Sequence, residues 1–134
     1  MENRELMYLA ENAKQKSYSP YSKFKVGAAL LTKDGKIYVG ANIENSSYPL
    51  TVCAERVAFF KAISEGEKEF EKIAISGSSD DFCFPCGACR QVMSEFMDED
   101  SQIILETKDG GFHVYTLAEL LPYSFNSDSM NSGK

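Results

Sequence analysis

The chain has 134 residues, a net charge of −6 and a pI near 4.8. That acidic balance argues against a general nucleic-acid binder, which presents a basic face, and no apolar run approaches the roughly 20 residues that cross a bilayer. With 43% hydrophobic residues, one domain over 1–134 with a substantial core is expected, so the four cysteines need not staple an undersized fold.

The opening stretch, "MENRELMYLAENAKQKS", is polar and amphipathic, without the continuous apolar segment of a signal peptide. A cytoplasmic location is therefore expected, where thiols stay reduced and disulfides are disfavoured. Leu6, Leu9, Ala10 and Ala13 recur at helical spacing, which predicts a helix over 2–16. Pro20 in "SYSPYS" breaks it. "FKVGAALLTKDGKIYVGANI" reads as two apolar strands joined at Asp34-Gly35, a strong hairpin signal. The looser "ENSSYPLT" leads to "CAERVAFFKAISEG", a helix expected to be buried on most sides, with Gly66 past its end as the C-cap.

"FEKIAISG" is a short buried strand, and the cysteine segment runs into a helix that turns Val92, Met93 and Phe96 inward. "QIILET" and "GFHVYT" flank a second Lys-Asp-Gly turn. Thr116 and Glu119 form a capping box for "TLAELLP", and a flexible tail follows after about residue 126. Thr-Lys-Asp-Gly occurs at 32–35 and again at 107–110, which convergent turn chemistry explains without a repeat. The order of elements predicts an α/β fold, a three-layer α/β/α sandwich on a mixed sheet of about five strands.

The chemistry concentrates in "DDFCFPCGACRQ", residues 80–91. Pro85 suits the first turn of a helix, and residues three apart share a helix face, so Cys86 and Cys89 can aim at one point. Unpaired backbone N–H groups at a helix start favour thiolates, the form that ligates zinc. Cys53 begins another helix, where Glu55 and Arg56 interrupt an otherwise apolar run. Positions i and i+2 do not face each other in a helix, so Cys53 is expected at the cap with Glu55 beside the metal and off it. Three thiolates with one open position is the pattern of catalytic zinc.

Cys83 keeps two other readings open: a closed four-cysteine structural zinc, or an iron–sulfur run of C-x-x-C-x-x-C type. The ferredoxin pattern continues to a cysteine followed by proline, which "RQVMSEF" lacks. Phe84 and Pro85 also separate Cys83 from the helix that aims the other two, so it reads as a loop or core thiol. His113, the sole histidine, alternates with Phe112 and Val114 on a strand's solvent face and has no ligand role.

"CAE" followed by "PCGAC" resembles the zinc-dependent cytidine deaminases. Together "SPYSKFKVGAALL", "NIENSSYP", "CAERVAFFKAISEG", "PCGACRQVMSEF" and "ELLP" resemble the short, nucleoside-specific, three-cysteine branch, over most of residues 17–122. The resemblance implies that Cys53, Cys86 and Cys89 hold one Zn²⁺ and that Glu55 shuttles protons while activated water attacks the pyrimidine C4. It implies that Arg56 offsets the −1 charge of one Zn²⁺ with three thiolates, that Asn42 and Glu44 bind sugar hydroxyls, that the Phe24 ring lies on the nucleoside, and that backbone near Ala54 reaches the base.

It also implies a homotetramer with shared sites, Tyr48 and Phe125 coming from neighbouring subunits. The expected reaction is deamination of cytidine and 2′-deoxycytidine in pyrimidine salvage, with a nucleoside analogue as an alternative substrate. Plainer readings compete: Glu55 as an ordinary first-turn glutamate, Arg56 in a surface ion pair, Phe24 in a strand core, Asn42 and Glu44 as turn residues. An anionic Glu44 in an acidic chain favours a free nucleoside over nucleotides or nucleic acid.

Overall fold

The computed structural model describes residues 1–77, 85–107 and 109–121. Five strands form one sheet in the order β2-β1-β3-β4-β5, namely β1 (Val26–Thr32), β2 (Ile37–Ala41), β3 (Phe70–Gly77), β4 (Gln102–Glu106) and β5 (Phe112–Thr116). β3 and β4 run parallel and the other neighbours antiparallel, so the sheet is mixed as expected. Side chains alternate across it. Ala29, Leu31, Ala74 and Ile104 face helix α1 (Asn3–Ala13), whereas Ala28, Leu30, Ile73, Ile75, Ile103 and Leu105 face α2 (Ala54–Ser64) and α3 (Gly87–Phe96). The result is three layers.

α1 buries Leu6, Met7, Ala10 and Ala13 and ends in a 3-10 turn at Lys14–Lys16. It lies directly on β1, because a Cβ on Gly27 would stand 2.0 Å from the Ala10 carbonyl oxygen. In both Thr-Lys-Asp-Gly segments the glycine amide, Gly35 N or Gly110 N, donates to the threonine carbonyl, and each glycine has positive φ. α2 is capped at Glu65, and Gly66, the glycine expected past its end, follows with φ of 97° and its amide donating to Ile63 O. The four-residue α4 (Leu117–Leu120) opens with the Thr116–Glu119 capping box.

Two expectations need correction. The first strand begins at Val26, so Phe24 precedes it; Lys23 turns the chain with φ of 62°, and Asn42 Nδ2 takes the Phe24 carbonyl out of the ladder. Pro85 is not in the first turn of α3, because Cys86 is its N-cap and the proline stands one residue outside. Periodicity could not separate these cases, since each depends on what the rest of the chain brings alongside. α2 is buried or half-buried on most sides, as expected, with Phe60, 48% exposed, beside Lys61 and Ser64 on its one outer face. The expected tail after about residue 126 lies outside the described residues.

Candidate metal centre

Strand direction brings the two helix starts together. Val26, Ala41 and Gly77 lie at one edge of the sheet, so β2 and β3 both end there with β1 beginning between them. α2 follows β2 and α3 follows β3, and the amino ends of both helices meet beyond the carboxyl ends of the strands. An Ile43–Val52 bridge closes the intervening loop and delivers Cys53 to the cap of α2. Gly40 lets that first turn sit on β2; a Cβ there would lie 2.5 Å from Ala54 O and 2.7 Å from Ala58 N.

Both helices open on a cysteine in extended conformation, Cys53 with ψ of 154° and Cys86 with ψ of 167°. Sulfur thus occupies positions usually held by Ser, Asp or Asn. Cys86 Sγ accepts from Cys89 N at 3.4 Å, as an N-cap side chain does. The Cys53–Cys86 sulfurs are 3.7 Å apart, Cys86–Cys89 3.3 Å, and all three sulfurs lie within 4.8 Å of one another. A tetrahedral ion about 2.3 Å from each sulfur needs them about 3.8 Å apart, so the set fits zinc in both donor type and span. Cys83 lies outside the described residues.

The surroundings suit anionic sulfur. The Cys53 thiol is pushed down to about 5, first by the hydrogen bond it shares with Cys89 and then by the Arg56 guanidinium. Cys89 moves the other way, because in the metal-free protein it keeps the proton it shares with Cys53 and is itself buried. Arg56 Nη2 donates to Cys53 Sγ at 3.6 Å and to Thr51 O at 3.4 Å. Its Nε is buried with no partner among the described residues. A guanidinium so placed is costly unless an anion lies nearby, and the thiolates provide one. Glu55 is 4% exposed, and burial raises its carboxyl to about 7, with the neighbouring Cys53 charge adding to the shift. It can therefore both take and give a proton near neutrality.

Elsewhere at this edge, Asn42 is buried: its Oδ1 accepts from Ser17 Oγ at 2.5 Å and from Val26 N at 2.9 Å, and its Nδ2 donates to Phe24 O at 2.9 Å. Glu44 accepts from Tyr21 N at 3.0 Å, Ser22 N at 3.1 Å and the Ser22 hydroxyl. The Ser22 hydrogen bond leads in holding the Glu44 carboxyl below its usual range. Phe24 is half-buried against the larger core cluster, and Ala54 is the fully buried first residue of α2. Tyr48 stands away, 83% exposed on a 3-10 turn at Tyr48–Leu50. Phe125 lies outside the described residues. Sequence reasoning missed Ser17, Ser22 and Gly40; a serine two residues before Phe24 and a glycine in a strand were the available signals.

Three thiols pooled by two helix starts, beside a buried carboxyl at the carboxyl edge of a mixed sheet, define a zinc-binding hydrolase of the deaminase class. The family model described as "Cytidine and deoxycytidylate deaminase zinc-binding region" matches residues 1–105, and the chain belongs to that family. It is 47% identical over 131 residues to a cytidine deaminase of Halalkalibacterium halodurans, covering 98% of this chain and 99% of the other. It is 44% identical to a cytidine deaminase of Sporosarcina psychrophila, again over 131 residues, with 98% and 96% covered. A crystal structure of cytidine deaminase from Burkholderia pseudomallei superposes with a TM-score of 0.89 at 45% identity, covering 93% of this chain and 100% of that one.

Proposed function

We propose that this protein hydrolyses cytidine and 2′-deoxycytidine to uridine and 2′-deoxyuridine with release of ammonia, in pyrimidine salvage. The observation that carries the reading is the three-sulfur cluster with a buried glutamate of raised pKa two residues from one ligand. Cys53, Cys86 and Cys89 hold zinc, which when bound supplies the Lewis acidity that makes water a nucleophile near neutral pH. Glu55 takes a proton from the attacking water and places it on ring N3 as oxygen adds to C4. It then carries the remaining hydroxyl proton to the amino nitrogen, the C4–N bond breaks, and ammonia leaves. Arg56 moderates the excess negative charge of the thiolates.

Asn42 and Glu44 act on the sugar while holding the segment that frames it. An amide nitrogen offers two donors, and one of those on Asn42 is left by its bonds to described residues. A carboxylate has about four acceptor sites, and three hydrogen bonds from Tyr21 and Ser22 leave one for a hydroxyl. Phe24 lies against the nucleoside and backbone near Ala54 meets the base. The exposure of Tyr48, Leu50 and Phe60 supports a homotetramer in which Tyr48 and Phe125 complete neighbouring sites. A cytoplasmic location follows from the same reading.

The test is to incubate zinc-loaded protein with each nucleoside and follow ammonia together with the ultraviolet change from cytosine to uracil. Stoichiometric ammonia and one zinc per chain are expected. No turnover of either nucleoside overturns the substrate assignment, and a brown protein with visible absorbance overturns the metal.

A further inference from the structure

A second arginine stands next to the metal centre without addressing its sulfurs. Arg90 is the fourth residue of α3, directly after Cys89. Its side chain doubles back: Nε donates to Pro85 O at 2.8 Å and Nη1 donates to Leu120 O at 2.7 Å. Its backbone N donates to Cys86 O at 2.9 Å. One residue thus closes a ring around Cys86, through its side chain to the residue before the cap and through its backbone to the cap itself. Pro85 is fully buried, so its carbonyl needs a donor from within the protein. The Leu120 carbonyl is one of the orphan acceptors at the end of α4, which favours a cation.

We infer that Arg90 is a positioning residue for the metal centre, clamping the start of α3 to α4 so that Cys86 and Cys89 stay aimed at Cys53. The inference rests on the zinc-ligand reading of those cysteines. A guanidinium presents its donors in a rigid planar fork, so two carbonyls held at once fix orientation as well as distance. Lysine keeps the charge but holds a point contact. The two arginines divide the work: Arg56 supplies charge to a sulfur, and Arg90 supplies geometry through the backbone that carries two of them.

The experiment compares zinc-loaded wild type, Arg90→Gln and Arg90→Lys by two measurements, the rate of zinc transfer to a chromophoric chelator and the absorption bands of the cobalt-substituted protein. Neither needs a nucleoside, so failure of the deaminase reading and failure of this one are separable. Arg90→Gln is expected to release zinc at least about 10-fold faster and to shift the cobalt bands, the scale on which partners of metal ligands act. Arg90→Lys is expected to fall between Gln and wild type. Thermal melting of zinc-loaded and metal-free forms is expected to show a larger loss in the loaded form. Wild-type release and cobalt bands in Arg90→Gln overturn the inference, as does an equal thermal loss in both forms. If Arg90→Gln does not fold, Arg90→Lys decides alone, and release at the wild-type rate sinks the two-point clamp in favour of simple charge.

Discussion

The two halves of the metal centre are built alike and held differently. Each begins a helix on a cysteine cap, yet the α2 half carries one sulfur together with Glu55 and Arg56, while the α3 half carries two sulfurs and no acid in its first turn. α2 is placed by backbone contact, its first turn lying on Gly40 of β2. α3 is placed by a side chain, the Arg90 fork. Helices set down on a sheet by close packing hold reactive groups at fixed depth, which suits Glu55, whose raised pKa depends on burial. Two cysteines in one helical turn already have their spacing, and need only that the turn not swing.

The largest effect should come from removing chemistry while leaving the grip intact. Glu55→Ala is expected to lose at least about 10²-fold in turnover with zinc retained, as for loss of a general acid–base group, measured by steady-state kinetics and metal analysis. Near-normal turnover would erase the contrast between the halves. Gly40→Ala tests how α2 is placed. The new methyl meets Ala54 O and Ala58 N, backbone atoms that cannot rotate away. A loss of about 1–3 kcal/mol in denaturant unfolding is expected, with weaker zinc binding. An unchanged midpoint would show that α2 has slack at its start.

The buried carboxyl also gives the metal-free protein a distinctive pH dependence. Glu55 titrates near 7 in the fold against the ordinary 4.5, so the folded state holds its proton longer than the unfolded chain. Stability is then full below about 4.5 and declines as pH rises towards 7. Glu55→Gln should flatten that decline and raise stability at neutral pH, read from denaturation midpoints of the metal-free forms across that range; parallel profiles would contradict burial as the cause. The smallest effect belongs to Cys83→Ser, expected to leave zinc content and activity nearly unchanged. Lost zinc would make it a ligand and close the coordination shell.

The sequence by itself determined what depends on near neighbours in the chain. Helical periodicity in α1, both Asp-Gly turns, the glycine past the end of α2, the capping box of α4 and the cap position of Cys53 involve residues within a turn of one another, where propensity and sterics decide. The metal motif was legible for the same reason, since its residue types and spacing carry the donor chemistry.

Only the tertiary structure decided which atoms share an edge of the sheet. The parallel sense of β2 and β3, with β1 between them, brings Cys53 to Cys86 across 33 residues. It also gives Asn42 and Glu44 their partners in the 17–24 segment, makes Gly40 a site of close approach, and turns Arg90 onto Leu120. Phe24 left its predicted strand because a side chain 18 residues away takes its carbonyl. Such outcomes follow from long-range packing and from the need to satisfy buried polar groups, and no local pattern encodes where those partners will come from.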